Sequence, residues 1–450
     1  MDNGSSADHI LIAIEEGGDI RVEALMNTMK SKIGYISPFS ATSCIFRVPH
    51  FLRRNNPGPY GPDIVSIGPL HDRTGKQFEL IENMKKSYLH DFLSRTNISL
   101  ERLIYRTLEL EKRTRDFYAE PLDVTEHDLI EMMIFDGCFL VELFLKFEGR
   151  WKHEERRGIS DPIFNMKFMR DYLFHDLLVL ENQLPWFILD YLYSLKRENE
   201  PVQSLKQLVL TVFTDHPPVA KNCKSYLNYL DSGSYYHDDD DDIGILHILD
   251  LIRTSIVFAG RFGFEPSFYD TSETPFMHPV TTLLKSGVKV QIGSGHESMM
   301  KIEFQNGVLS IPQVGIGELS ESLFRNLIAF EQCCHSRSHE ITSYVIFMDT
   351  LIRSSEDMDF LCEKKIIGNW GSIANSYQFF NKLRKNIRVT KFHYHILCAE
   401  LDRYCTAEWE KPLISDLRRE ALLAKEEFRR HFLSNLLKIM YLVVCFIFVQ

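Results

Sequence analysis

The stretch from Thr125 to Phe147, TEHDLIEMMIFDGCFLVELFLKF, constrains this chain more than any other. Thr125 followed three residues later by Asp128 is a helix-capping pattern, and the apolar residues after it point in nearly every direction around a 3.6-residue period. At about 100° per residue, Asp128, Glu131, Glu142 and Lys146 fall within roughly 60° of one another, while Asp136, beside Gly137, lies off that stripe. Such a helix needs neighbours on most sides, so the rest of the chain must supply a sizeable helical core.

The bulk composition narrows the partners. Asp and Glu number 62 against 51 Lys and Arg, a formal charge of -11, whereas gripping a phosphate backbone needs concentrated basic surface. Nucleic acid is therefore not an expected partner. A hydrophobic share of 44% with 25% charged residues is that of a folded protein and argues against long disorder. The nine cysteines are scattered without a disulfide spacing, and their odd number fits a reducing compartment. The acidic start, with only the short apolar run Ile10 to Ile14, does not read as a secretory signal.

Taken in order, residues 1–43 form an amphipathic opening and a loosely packed connection. From Cys44 onward Pro49, Pro57, Gly58, Pro59, Gly61, Pro62 and Gly68-Pro69 are too much punctuation for regular elements, which predicts an extended, docked segment. Gln77 to Thr96 reads as a helix with Leu80, Met84, Tyr88 and Phe92 on one face, and a second starts at Ser99; both are expected on the outside of the core. The run from Asp171 to Leu195 is helical in pattern but holds Pro185, which should break or kink it. Glu181, Asn182 and Gln183 precede that proline between strongly apolar segments, so they are expected inside, bonded to freed backbone groups or to an arginine from elsewhere.

A helix is expected over Gly244 to Phe262. After it, Val288 to Gly293 and Met300 to Ile316 alternate at period two, with Asn306-Gly307 placed for a hairpin turn, which predicts a small antiparallel sheet. The final third returns to helices. The whole is read as mainly α: one large helical domain over 44–430 with a small antiparallel β-hairpin or sheet insertion and a hydrophobic C-terminal helix. In the tail, 431–450, the apolar run contains Ile439, Tyr441, Leu442, Val443, Val444, Phe446, Ile447 and Phe448 behind Arg418, Arg419, Lys425, Arg429 and Arg430. It is shorter than the ~20 residues of a membrane span, and three readings stay open: a helix packed on the core, a shortened membrane anchor with its basic side in the cytosol, or an interfacial helix.

Residues with chemistry are few. Asp136, Glu181 and Asn182 are polar groups in apolar surroundings, and they read as a structural polar network or, alternatively, as paired acids for hydrolysis. Cys138 lies in the most apolar helix, where an inert buried thiol is the expectation. Cys333, Cys334, His335 and His339 are zinc-type ligands without a familiar spacing, and the Asp238 to Asp242 run lacks the glycine and closing glutamate of a calcium loop. No metal and no cofactor is expected, and no motif marks an enzyme.

Six segments in order carry a resemblance: Val48-Pro49, YGPDIVSIGPLH from Tyr60, EMMIFDGCFLVELF from Glu131, DLLVLENQLPW from Asp176, FRNLIAFEQC from Phe324 and ITSYVIFMDTLI from Ile341. Across roughly residues 44 to 430 the chain resembles the plant family known as domain of unknown function 247. That resemblance implies a mostly helical protein without established catalytic residues, and in many members a C-terminal anchor at the plasma membrane. Relatives pass through a Phe-Ser-Asn-Pro-Trp-like junction into a full span; here HFLSNLLKIM has no Pro-Trp. Some grass members are implicated as male-side determinants of self-incompatibility. The resulting expectation is a non-catalytic recognition or signalling protein facing the cytosol at the plasma membrane, or else soluble in the cytoplasm. Its partner would be a protein, met through the loops at 150–161, 231–243 and 264–279.

Overall fold

The computed structural model describes residues 22–30, 43–54, 56–149, 161–195, 203–215, 219–232, 244–258, 277–293, 298–317, 319–369, 377–389 and 391–448. Three helices open the core: α1 (Glu79–Thr96), α2 (Leu100–Glu109) and α3 (Glu126–Phe147). Thr125 caps α3 as its sequence predicts, accepting the Asp128 N–H at 3.1 Å and donating its hydroxyl to the Asp128 carboxylate at 2.7 Å. From Met133 to Leu145 every residue of α3 except Phe135 is buried. Each fully buried Leu, Val or Phe there stabilises the fold by roughly 1.5–3 kcal/mol.

The polar stripe read along α3 divides in two. Its first half is exposed at Asp128 and Glu131, whereas Glu142 is fully buried and Lys146 nearly so. The cause is α1, which lies along α3 and turns inward Ile81, Lys85, Tyr88, Phe92 and Arg95, not the face containing Leu80, which is 46% exposed. Hydrophobic periodicity misplaces this face because two of its members are cations. Lys85 meets Asp136 at 2.8 Å and Arg95 meets Glu142 at 2.7 Å, so the charges on the two helices match. Between them the Tyr88 and Phe139 rings meet at a tilt of 48°, with centroids 5.0 Å apart.

Next come α4 (Lys167–Leu177), α5 (Trp186–Ser194), α6 (Leu205–Phe213), α7 (Ala220–Asp231) and α8 (Ile248–Phe258). Pro185 produces a full break: residues 178–185 form a buried loop, and Pro185 is the N-cap residue of α5. A buried loop survives only if its polar backbone finds partners. Gln183 supplies two by donating to the Leu177 and Val179 carbonyls, both at 2.8 Å, and its own oxygen accepts the Leu249 N–H at 3.1 Å. At Gly137 an added Cβ would stand 2.3 Å from Leu192 Cδ1, so this glycine sets how closely α5 approaches α3.

Five short strands follow in two sheets. β1 (Lys289–Ile292), β2 (Glu303–Gln305) and β3 (Val308–Ile311) form one, in the order β1-β3-β2; β4 (Val314–Ile316) joins β5 (Ile367–Asn369) in the other. The hairpin turn at Asn306-Gly307 is as its residues predict, both in the left-handed region with φ 51° and 77°. The expected antiparallel hairpin is present as β2 and β3, while the expectation that the insertion is antiparallel is corrected for its other pairs, because β1 pairs with β3 in parallel and so does β4 with β5. Parallel pairs need long connections, and period-two alternation says nothing about direction. The helices α9 (Ser320–Cys333), α10 (Glu340–Leu351) and α11 (His395–Phe448) dominate the final third, with the shorter helices Ser355–Glu363 and Phe379–Arg384 between α10 and α11. One hydrophobic cluster runs through the described residues from Val48 to Cys405.

α11 enters that cluster through Leu397, Cys398, Leu401 and Cys405, while Leu422, Phe428, Phe432, Leu436, Ile439 and Met440 are exposed. The side chains of Tyr441, Leu442, Val443, Val444, Phe446, Ile447 and Phe448 lie outside the described residues. No helix among the described residues is long and apolar enough to cross a membrane. The expected specificity loops also lie outside the described residues at 150–160, 233–243 and 264–276, as does the Asp238 to Asp242 run.

Candidate functional site

The proline- and glycine-rich segment from Cys44 to Thr74 pairs its backbone within itself mainly at two short turns, His50–Arg53 and Gly58–Tyr60, and otherwise crosses the core without such pairing. Its N–H groups need acceptors. Four side chains from the helical body supply them. Glu181 accepts the Val48 N–H at 2.6 Å, and Asp176 accepts those of Asp63, Ile64 and Val65 at 2.8, 2.7 and 2.8 Å. Asn182 accepts the Ile67 N–H at 2.6 Å while its amide donates to the Val65 and Asp176 carbonyls at 3.0 and 2.9 Å. Asp136 accepts the Gly68 N–H at 2.8 Å.

Cations from the segment and from α1 complete the arrangement. Arg53 is paired with Glu181. Arg73 forks onto Asp136 and also donates to the Gly68 carbonyl at 2.8 Å, and Lys85 donates to the Ser66 carbonyl at 2.6 Å. Burial pushes the Asp136 carboxyl upward, but Arg73 and Lys85 together outweigh it and hold the group below its ordinary range. At Glu181 burial wins over the Val48 N–H and Arg53, and the carboxyl is raised. Burial, followed by Arg47 and Arg53, lowers the neighbouring His71 to about 4. Gly68, at φ 70°, is the tightest point, since a Cβ there would meet the Gln183 carbonyl at 2.8 Å and the Tyr118 hydroxyl at 3.0 Å.

Asp136, Glu181 and Asn182 are thus brought to one buried seam, joined there by Asp176, Lys85 and Arg73, which sequence reasoning missed. The signal was present in Lys85, a cation on an apolar helical face, and in Asp176, at the end of an apolar run. For paired acids to act in hydrolysis, one must keep a lone pair facing a reactant. Here the Asp136 oxygens receive Gly68, Arg73 and Lys85, and Asp176 receives three backbone donors.

A second chain of polar groups has the donor order of a hydrolytic relay. Ser322 Oγ lies 2.7 Å from His175 Nε2, and His175 Nδ1 lies 2.9 Å from Asp176. All three side chains are buried, and the Ser322 hydroxyl also lies 2.8 Å from the Pro59 carbonyl. Asn326 donates to that same carbonyl at 2.7 Å and accepts the Leu180 N–H at 2.9 Å, so the group braces α4 and α9 against the extended segment. Asp63, His175 and Asp176 also converge in the manner of metal ligands. Asp176 already accepts three N–H groups there, which leaves little basicity for a cation.

Cys138 is fully buried, and burial, reinforced by Glu142, pushes its thiol well up. Among the described residues, Cys333, Cys334, His335 and His339 do not converge as ligands. A further charge cluster went unread in the sequence although Asp250, Arg253 and Glu331 each interrupt an apolar helix. Arg337 forks onto Asp250 at 2.8 and 2.6 Å, and Arg253 meets Glu331 at 2.9 Å. Glu331 also accepts the Ile341 and Thr342 N–H groups at 3.0 and 2.9 Å, which locks α8, α9 and α10 together.

Comparison with known proteins follows the same stretch of chain. A family model described as a plant protein of unknown function matches residues 45–449. UPF0481 protein At3g47200 of Arabidopsis thaliana is 30% identical over 368 residues, covering 76% of this chain and 73% of its own. Putative UPF0481 protein At3g02645, from the same plant, is 23% identical over 452 residues, covering 82% and 83%. No solved structure matches the chain.

Proposed function

We infer from the plant DUF247 family, to which this chain belongs, that the protein is a non-catalytic recognition or signalling component. One observation carries the reading: the acids at the seam, Asp136, Asp176 and Glu181, are occupied in holding the segment from Val48 to Gly68. A scaffold stiffened in this way suits loops that vary while the core stays put. The concrete version is a pollen-side self-incompatibility determinant acting through a protein partner at the cytosolic face of the plasma membrane. The ordered motifs shared with the family support it. So does the end of α11, where exposed Phe428, Phe432, Leu433, Leu436 and Leu437 stand beside Arg429, Arg430 and Lys438, a composition suited to an anionic bilayer surface.

Membrane fractionation tests the location. The full chain and a version ending at Arg430, each with an N-terminal fluorescent tag, are expressed in pollen, and membranes are washed with carbonate. Retention of the full chain alone supports an anchored recognition protein; loss of both moves the protein to soluble partners. Exchanging loops 150–161, 231–243 and 264–279 with those of a relative tests recognition, with a switch of partner at unchanged stability as the expected result. A second reading, hydrolysis at Ser322, rests on the His175 and Asp176 geometry and predicts covalent labelling of Ser322 by a fluorophosphonate.

A further inference from the structure

Among the described residues, two apolar helix faces stand open within reach of each other. In helix 22–30, Val22, Leu25, Met26 and Met29 recur at the spacing of a single stripe, and each is at least 45% exposed. On α2, Leu103 and Thr107 pack inward, while Leu100, Ile104 and Leu108, four residues apart along the adjacent edge, are 42–46% exposed. Tyr105 widens that edge.

The connection between them is short. Ser43 donates to the Asp116 carbonyl at 3.1 Å, and the Cys44 and Ile45 N–H groups donate to the Phe117 carbonyl at 2.9 and 3.0 Å. This anchor sits on the helix Glu111–Phe117, which follows α2 after a single residue, Leu110. Ile104 therefore lies within roughly 20 Å of it. A chain of the twelve residues numbered 31–42 reaches at most roughly 40 Å, which does not forbid helix 22–30 from lying along α2. A tether of this length gives an effective concentration on the order of millimolar, so a small apolar contact forms that separate molecules would not sustain. Charge does not oppose the placement: on α2 the exposed Arg102 and Arg106 are balanced by Glu101 and Glu109, so the pairing rests on the two apolar stripes and the short connection.

We propose that the open edge of α2 is the docking site for this chain's own helix 22–30, with Leu25, Met26 and Met29 against Leu100, Ile104 and Leu108. The contact buries both stripes and ties the acidic N-terminus to the outer surface of the helical body. Any partner that takes the α2 edge must first displace it.

Photocrosslinking of the full chain decides the matter, with p-benzoylphenylalanine in place of Leu25 and the adducts mapped by mass spectrometry. The expected result is a crosslink to residues 100–109 within one chain, at a yield unchanged on roughly tenfold dilution. Ile104→Asp, which puts a charge into the contact, should cut that yield about tenfold, while Leu80→Asp on the exposed edge of α1 leaves it intact. Met29→Asp serves the same purpose without touching the folded body. Crosslinks to other segments, a yield that falls on dilution, or indifference to Met29→Asp would each overturn the proposal.

Discussion

The Asp136 carboxylate of α3 accepts the backbone N–H of Gly68 at 2.8 Å, and this contact joins a deeply buried helix to a segment whose own secondary structure is limited to the short turns His50–Arg53 and Gly58–Tyr60. Because Arg73 and Lys85 converge on the same carboxylate, removing its charge leaves two largely buried cations with only the partly exposed Glu82 as counter-charge. Asp136→Asn is expected to destabilise the fold by about 3–5 kcal/mol in denaturant titration. Glu131→Gln, exposed on the same helix, should stay within about 0.5 kcal/mol. A loss below about 1 kcal/mol for Asp136→Asn would show that the seam contributes little.

Gly68→Ala combines a left-handed backbone with a Cβ placed 2.8 Å from the Gln183 carbonyl. The backbone term alone is about 1–2 kcal/mol, and the contact adds to it, so the denaturation midpoint should fall clearly. Gly244→Ala, with nothing within 4 Å, is the matched control and should leave the midpoint unchanged.

Glu142 makes stability depend on pH. Burial, only partly opposed by Arg95, raises its carboxyl from 4.5 to about 7. The folded state therefore keeps a proton that the unfolded chain has lost between those values, and stability falls as pH rises through the window, by roughly 3 kcal/mol in all. From about pH 5 to about pH 8, the stability of the wild-type chain relative to Glu142→Gln should fall by roughly 2–3 kcal/mol. A pH-independent difference would mean that Arg95 keeps Glu142 ionised throughout.

Two side chains with nucleophilic chemistry should be inert. Ser322 is enclosed by His175 and Asn326 and lies against the Pro59 carbonyl, and Cys138 is 0% exposed. Incubation of the native protein with a fluorophosphonate and with iodoacetamide is expected to leave both unmodified, with Cys138 reacting only after denaturation. Modification of native Ser322 would favour the hydrolytic reading.

Much of the helical plan was legible locally. The Thr125 cap, the solid apolar run after it and the Asn306-Gly307 turn are each decided by neighbours in the chain, and they stand where their residues place them. The interior position of Glu181, Asn182 and Gln183 was legible too, since polar groups between apolar runs must go inward with their partners. Lys85 and Arg95 were not legible as core residues. A hydrophobic pattern assigns charges to solvent, and only the acids on α3 make burial of these two acceptable.

By itself the sequence determined the helical class, the family and the need of its buried polar groups for partners, because periodicity, turn chemistry and desolvation act over a few residues. Only the tertiary structure decided who the partners are. Val48 and Glu181 lie 133 residues apart, Gly68 and Asp136 68 apart, and β4 finds β5 across three helices. Contacts at such separations depend on how the helices pack around α3, and no local pattern encodes that geometry.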